Sequence, residues 1–522
     1  MQLSRASGIL LHPSSLPASP GIGTLGAEAY RFVDWLVEAG QSLWQVLPLG
    51  PTGYGDSPYA SFSSFAGNPL LVDLDALVAD GLLSREETAP PEWIRSEGPI
   101  DYGAVVHWKK PLLRIAARSF LGRGGSPAYR DFVKRAAFWL DEYALFMDIK
   151  DYHDRMASEE GKPGGLWHGL WPKELAARKR SALVAWARGR EREIEERKAE
   201  QFFFFAQWEA LRSYARAKGV SLIGDIPIFV APDSADAWAN QRLFQLTPGG
   251  APLRVAGVPP DYFSETGQLW GNPLYDWKAM AHDRYRWWVA RMRWTLSLVD
   301  YVRVDHFRGF ESYWSVPSGE GTAVNGRWVK GPGAALFKAL RRSFGDLPII
   351  AEDLGVITDE VRALRERLGL PGMRVLQFAF DPAEAKKNGM INPFLPHMYE
   401  PNTVVYTGTH DNDTTLGWIS AAGGDTLALV RRYLGAGASG PELARALVRA
   451  AYLSVAAFAI VPLQDVLGVG SEGRMNTPST SGANWAWRAG RGTPGADEAA
   501  WLKELSFVSA RNGLLAREQA PE

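Results

Sequence analysis

Short apolar runs bounded by turn residues recur along most of this chain, and few of them alternate strictly between polar and apolar positions. The candidates are Gly8–Leu11, Leu43–Leu47, Ser221–Ile226, Tyr301–Val304, Ile349–Glu352, Arg374–Phe378, Thr403–Thr407 and Ala457–Val461. Runs of this length and uniformity are the signature of strands covered on both faces. Helical periodicity fills several of the intervals: Ala27–Ala39 after the first run, Asp359–Leu368 after the fifth, Pro441–Ser454 before the last. Eight buried strands alternating with helices predict an α/β fold, a (β/α)8 TIM barrel. Two intervals, 53–219 and 230–298, are too long for simple crossovers and read as insertions after strands two and three. The first is expected to be mostly helical. Its charged stretch, Lys173–Glu200, carries opposite charges at helical spacing (Arg192–Glu196, Glu193–Arg197) beside the like pair Glu191–Glu195, and reads as a solvated arm.

Composition narrows the function classes. The 522 residues are 46% hydrophobic and 22% charged, which is ordinary for a globular protein and argues against disorder. A formal charge of −1 removes the general electrostatic pull that nucleic acids or anionic membranes require, so neither is expected as a partner. The longest apolar run, Tyr452–Leu463, is too short to cross a bilayer and suits a buried helix-to-strand segment. Met1–Pro20 has no pattern of a secretory leader. The absence of cysteine excludes thiolate chemistry and fits a cytoplasmic protein. Twenty-one tryptophans are an excess. Trp287, Trp288 and Trp294, at helical spacing before the fourth strand, read as core. Trp270, in a Gly/Pro-bounded loop without helical period, reads as a ligand platform.

The chemistry candidates stand where predicted strands stop. In Tyr301–Val302–Arg303–Val304–Asp305 the period of two puts Tyr301, Arg303 and Asp305 on one face. With the valines turned outward onto helices, an Arg–Asp pair lies inside the barrel, where Arg303 would keep Asp305 ionised as a carboxylate nucleophile requires. Glu352 closes the apolar run Ile349–Ala351, and desolvation there should raise its pKa into the range of a general acid. A third cluster, Thr407–Gly408–Thr409–His410–Asp411–Asn412–Asp413, leads through small residues into a polar knot, as where backbone approaches a ligand. Asp225 in Gly224–Asp225–Ile226–Pro227 is a fourth acid at a strand end. Asp225 and Asp353, taken singly, read more readily as structural acids than as chemical ones. His410–Asp411 also resembles the pair of metal-dependent phosphohydrolases, but with eight histidines and no HxH or HxxxH spacing no metal is expected. Several acids on the C-terminal face of one barrel point to retaining glycosidic chemistry, leaving aldolase and isomerase chemistry open.

The residues themselves resemble a known family. Arg303–Val304–Asp305–His306–Phe307–Arg308–Gly309, Ala351–Glu352–Asp353–Leu354–Gly355 and Gly408–Asp413 resemble the catalytic motifs of the α-amylase clan. Gly8–Pro17, Trp44–Leu49, Ser57–Pro58–Tyr59, Asp261–Tyr262–Phe263–Ser264 and Gly267–Pro273 are similar to segments of the amylomaltase family, bacterial 4-α-glucanotransferases. The likeness runs from about residue 5 to about 516, with Leu269 standing where a basic residue is common. It implies Asp305 as nucleophile, Glu352 as acid/base and Asp411 as transition-state stabiliser. It further implies sugar contacts from Arg303, His410, Asp225, Tyr59, Asp261, Gln268, Trp270, Phe378 and Asn476. The family uses no cofactor or metal, takes α-1,4-glucans with glucose as one acceptor, and lacks a C-terminal β-sandwich; a monomer is expected. Two alternatives stand beside this reading: a retaining α-glucan hydrolase, and an inactive glycan-binding barrel.

Overall fold

The computed structural model describes residues 3–53, 55–260, 264–435, 439–480 and 482–512. The eight expected runs form eight strands: β1 Ala6–Leu10, β2 Leu43–Gln45, β3 Ser221–Pro227, β4 Tyr301–Asp305, β5 Ile349–Ala351, β6 Gly372–Val375, β7 Thr403–Tyr406 and β8 Phe458–Pro462. All neighbours run parallel, in the order β6-β7-β8-β1-β2-β3-β4-β5. The seam between β5 and β6 is bridged by Ala351 N–H donating to the Pro371 carbonyl at 2.9 Å. Asp353 closes the same seam, accepting from Met373 N–H at 2.7 Å and pairing with Arg365 at 3.3 Å. The result is a (β/α)8 barrel. Its strands are buried on both faces, which explains why they lack polar alternation.

Inside the barrel Arg303, Gln45 and Tyr406 are buried together with Met373. Tyr406 Oη donates to Gln45 Oε1 at 2.7 Å, so these interior polar groups are partnered. Helix α1 (Ala27–Glu38) covers the outside, burying Phe32, Val33 and Leu36 at the spacing its periodicity predicts. Tyr452–Leu463 forms the expected passage from a helix, Gly440–Leu453, into β8, buried except at Leu453 and Val455.

Between β2 and β3 the chain builds helices α2 (Tyr102–Gly122), α3 (Pro127–Glu159) and α4 (Glu191–Ala217). The charged stretch is not simply a solvated arm. Glu196, Arg197 and Glu200 on α4 are buried. Arg192 pairs with Glu196 at 3.1 Å as its spacing predicts, but Arg197 turns to Asp151 and Glu200 instead of Glu193. The arm is tied to the barrel by Trp208 Nε1 donating to the Leu298 carbonyl at 3.0 Å and by Lys150 pairing with Asp233 at 2.6 Å.

Three further expectations change. Arg374–Phe378 is strand only to Val375; a 3-10 turn, Leu376–Ala379, follows. The region around Trp270 is strand, Gln268–Pro273, in a separate antiparallel sheet with Arg254–Val258, Ser312–Pro317 and Arg327–Lys330. That sheet draws two strands from after β4, so it is not confined to 230–298. After β8 the described residues add no sheet; the sequence reads as helix over 496–516, and among the described residues that helix is Ala496–Val508. Ala510 takes φ 52°, turning Arg511 back under the barrel; residues beyond 512 lie outside the described ones.

Candidate active site

The site forms at the C-terminal ends of β3, β4, β5 and β7. Period-two alternation on β4 puts Val302 and Val304 into the packing and Arg303 into the barrel, as the sequence predicts. Arg303 then works as a fork: Nη1 donates to Asp225 Oδ2 at 2.6 Å and Nη2 to Asp305 Oδ1 at 2.8 Å. Such a charge-assisted pair fixes Asp305 against rotation. Asp305 Oδ2 has no partner among the described residues, and its side chain is 30% exposed.

Next in the chain, His306 adopts the left-handed conformation (φ 55°). That turn aims its backbone N–H at Glu352 Oε2, 2.7 Å away, while Leu354 N–H donates to Oε1 at 2.8 Å. One carboxyl group thus belongs to Asp305 and the other is held by its neighbour His306. Burial, then the negative charge of Asp305, pushes Glu352 up to about 8, against the opposing pull of Arg303 and the two N–H groups. The direction agrees with the sequence reading. Asp305 departs from it: burial raises it above the ordinary carboxylate range, and Arg303 only offsets part of the rise, helped by His410 and opposed by Asp225 and Asp411. The more exposed Asp305, in direct contact with a guanidinium, is the one that ionises; the proton of the pair belongs on Glu352.

Asp411 faces this pair from the loop after β7. Its Oδ1 accepts from Asn476 Nδ2 at 2.6 Å, and Oδ2 lies 3.4 Å from His410 Nε2. Tyr59 stacks on His410 with ring centroids 4.9 Å apart, and its hydroxyl donates to Asp225 Oδ2 at 2.8 Å. Asp225, expected against the sugar, is enclosed beneath Tyr59 and Arg303, which places it as their support. Trp270 is 37% exposed, with its ring edge-on to His306 at 4.8 Å and Nε1 donating to Gln268 Oε1 at 3.2 Å. Phe378 presents an exposed face from the turn after β6 and packs edge-on to Phe394. Asp261 lies outside the described residues. Gly408, read as room for a ligand, admits protein: a Cβ there would meet Gln377 Nε2 at 2.8 Å.

Three contributors are absent from the residues singled out by sequence. Trp485, buried and left-handed (φ 65°), packs against both Tyr59 and His410. Its signal was available in Gly482–Ala483–Asn484–Trp485–Ala486–Trp487, an aperiodic segment like that around Trp270. Arg474 donates to the Asp411 carbonyl at 2.8 Å and to the Asn476 carbonyl at 2.9 Å, locking the two loops together. Asp465, fully enclosed after β8, accepts from Thr407 Oγ1, from Thr415 N–H at 2.6 Å and from Thr415 Oγ1 at 2.6 Å, clamping both ends of the loop that carries Asp411. Among the described residues no group of three His, Asp or Glu side chains is arranged to hold a metal ion, and no helix is long and apolar enough to cross a membrane.

The arrangement supplies an ionisable carboxylate, a protonated carboxyl and a third acid around one opening, flanked by aromatic faces. This suits displacement at an acetal carbon. Comparisons with known proteins agree. The sequence pattern of the 4-alpha-glucanotransferase family matches residues 11–492. The 4-alpha-glucanotransferase of Thermus thermophilus is 48% identical over 98% of this chain and 100% of its own length. That of Synechocystis is 47% identical over 93% and 94%. Among solved structures, an amylomaltase from Streptococcus agalactiae in complex with acarbose superposes with a TM-score of 0.91 at 37% identity, covering 97% of this chain and 99% of the other.

Proposed function

This chain belongs to the 4-alpha-glucanotransferase family, and from that premise we propose that Asp305, Glu352 and Asp411 carry its reaction. The enzyme is a 4-alpha-glucanotransferase acting on alpha-glucans. In the first step Asp305 Oδ2 attacks the anomeric carbon of a bound donor glucan. The bond from that carbon to the leaving 4-oxygen breaks, and the proton of Glu352 passes to that oxygen. The reducing-end fragment departs and a glucosyl ester remains on Asp305. In the second step the 4-hydroxyl of an acceptor glucan or glucose gives its proton to Glu352, its oxygen bonds to the anomeric carbon, and Asp305 is released. Two inversions return the original configuration. Asp411 stabilises the positive charge that develops on the ring. Arg303, held by Asp225, orients the nucleophile, while Tyr59, His410, Trp270, Gln268, Phe378 and Asn476 line the glucan path. The observation that carries this reading is the raised, buried Glu352 held through His306 beside an Arg-bound Asp305.

Hydrolysis uses the same carboxylates, with water as acceptor. Incubation with maltotriose separates the two outcomes. Transfer yields glucose and longer maltooligosaccharides at a constant total of reducing ends; a rise in that total matching the bonds broken would overturn the transfer reading.

A further inference from the structure

Away from the barrel mouth, α2, α3 and α4 enclose a second opening, a cleft of about 850 Å³. Six cationic side chains line it: Lys110, Arg114 and Arg118 from α2, Arg155 from α3, Arg190 just before α4, and Arg197 on α4. Four carboxylates line it with them, Asp148, Asp151, Glu193 and Glu196, and Glu200 pairs with Arg197 at 3.3 Å from outside the lining. The lining itself thus carries two more cations than carboxylates, in a chain that is close to neutral overall.

The hydrogen bonds show which side is in surplus. Asp148 accepts from Arg190 at 2.6 and 2.9 Å and from Trp186 Nε1 at 2.9 Å. Glu196 accepts from Arg118 at 2.7 and 3.3 Å and from Arg192 at 3.1 Å. Asp151 is shared among Arg197, Arg114 at 3.1 Å and Lys110 at 3.7 Å. Burial raises Asp151, but these cations outweigh it and hold the carboxyl down to about 2. These three acceptors are engaged; Glu193 makes no side-chain hydrogen bond among the described residues, and several donors also remain. Among the described residues Lys110 makes no hydrogen bond, Arg114 makes one, and Arg155 only approaches the exposed Glu159 at 3.9 Å. Their side chains are 40%, 38% and 60% exposed, so solvent and solutes reach them.

Guanidinium forks with unused N–H groups match the oxygens of a phosphate group, which offers several acceptors and up to two charges. The cleft is far larger than a phosphate ion. Beside the cations it presents Tyr152, flanked by Arg155 and Arg190 with their guanidinium carbons 5.7 and 5.4 Å from its ring centroid. An aromatic face next to an anion site suits a ring with one apolar side. We infer that this cleft is a second ligand site, separate from the catalytic one, and that it takes a sugar phosphate monoester. The purely structural alternative is an ion network that braces the three helices.

Calorimetric titration of the full chain at low ionic strength decides between them, with glucose 6-phosphate, inorganic phosphate and maltose as probes. Glucose 6-phosphate should bind saturably, inorganic phosphate more weakly, and maltose should leave the glucose 6-phosphate isotherm unchanged. Added salt should weaken binding. The double variant K110A/R114A should lose at least about tenfold in affinity while keeping glucan transfer. Arg155→Ala, at a largely exposed position, should show the same direction should the double variant fold poorly, whereas Arg85→Ala, outside the cleft, should bind as wild type. No saturable binding at millimolar glucose 6-phosphate, equal affinity in wild type and both cleft variants, or displacement of the sugar phosphate by maltose would overturn the inference.

Discussion

Glu352 is the residue on which the protonation of the site turns. Its carboxyl is lifted to about 8 by burial and by Asp305, so near neutral pH it enters the reaction as an acid. Glu352→Gln removes proton transfer while keeping the shape, and turnover should fall by about 10²–10⁴. The alkaline limb of the wild-type rate profile, expected as pH passes about 8, should disappear from the residual activity of the variant. Stability gives an independent reading. Because the folded pKa lies above the unfolded value, the folded state holds the extra proton between about 4.5 and 8, and stability contributed by Glu352 falls as pH rises through that window. The melting temperature of Glu352→Gln should therefore exceed wild type by more at pH 9 than at pH 5. An equal offset at both would detach the raised pKa from this residue. The elevation was legible in the sequence, since an acid at the end of an apolar strand is desolvated. The behaviour of Asp305 was not, because it depends on Asp225 and Asp411 arriving from other strands.

Elements position these residues through loops clamped at both ends. The segment from Thr407 to Thr415 presents His410 and Asp411, and Asp465, from the short helix Leu463–Leu467 after β8, binds its two ends. Asp465→Ala leaves two buried hydroxyls and a backbone N–H without their acceptor, a loss of about 2–4 kcal/mol. Turnover should drop with KM changing less, because Asp411 is displaced from its place opposite Asp305; thermal unfolding and initial rates measure both. The eight barrel strands were legible because a strand buried on both faces leaves a plain apolar run. The second sheet was not. Arg254–Val258, Gln268–Pro273, Ser312–Pro317 and Arg327–Lys330 are short, hold arginine, glycine or proline, and are partly exposed, so neither alternation nor an apolar run marks them. Trp270 was still identifiable, since its surroundings excluded a helix, although its strand was not.

At the scale of the molecule, the first barrel strand pairs directly with the last, and Arg511 braces that join. Fully buried, it donates to the carbonyls of Ala6, Tyr452, Ala456 and Ala457 at 2.7–2.8 Å and of Ser454 at 3.3 Å. Arg511→Ala should cost roughly 3 kcal/mol and lower the melting temperature by several degrees without altering KM. No sequence pattern marks Arg511, whose partners are carbonyls brought together only when the barrel closes. The barrel in turn gathers acids from β3, β4, β5 and β7 at one mouth, and the account centres on what they do together: a covalent glucosyl ester on Asp305. Incubation with 5-fluoro-α-D-glucosyl fluoride, whose electron-poor ring slows the second displacement more than it slows the first, followed by peptide mass spectrometry, tests this most directly. The account predicts a fluoroglucosyl adduct on the peptide carrying Asp305, discharged when maltose is added as acceptor; an adduct on Glu352 or Asp411, or time-dependent turnover of the fluoride with no adduct at any point, would contradict it.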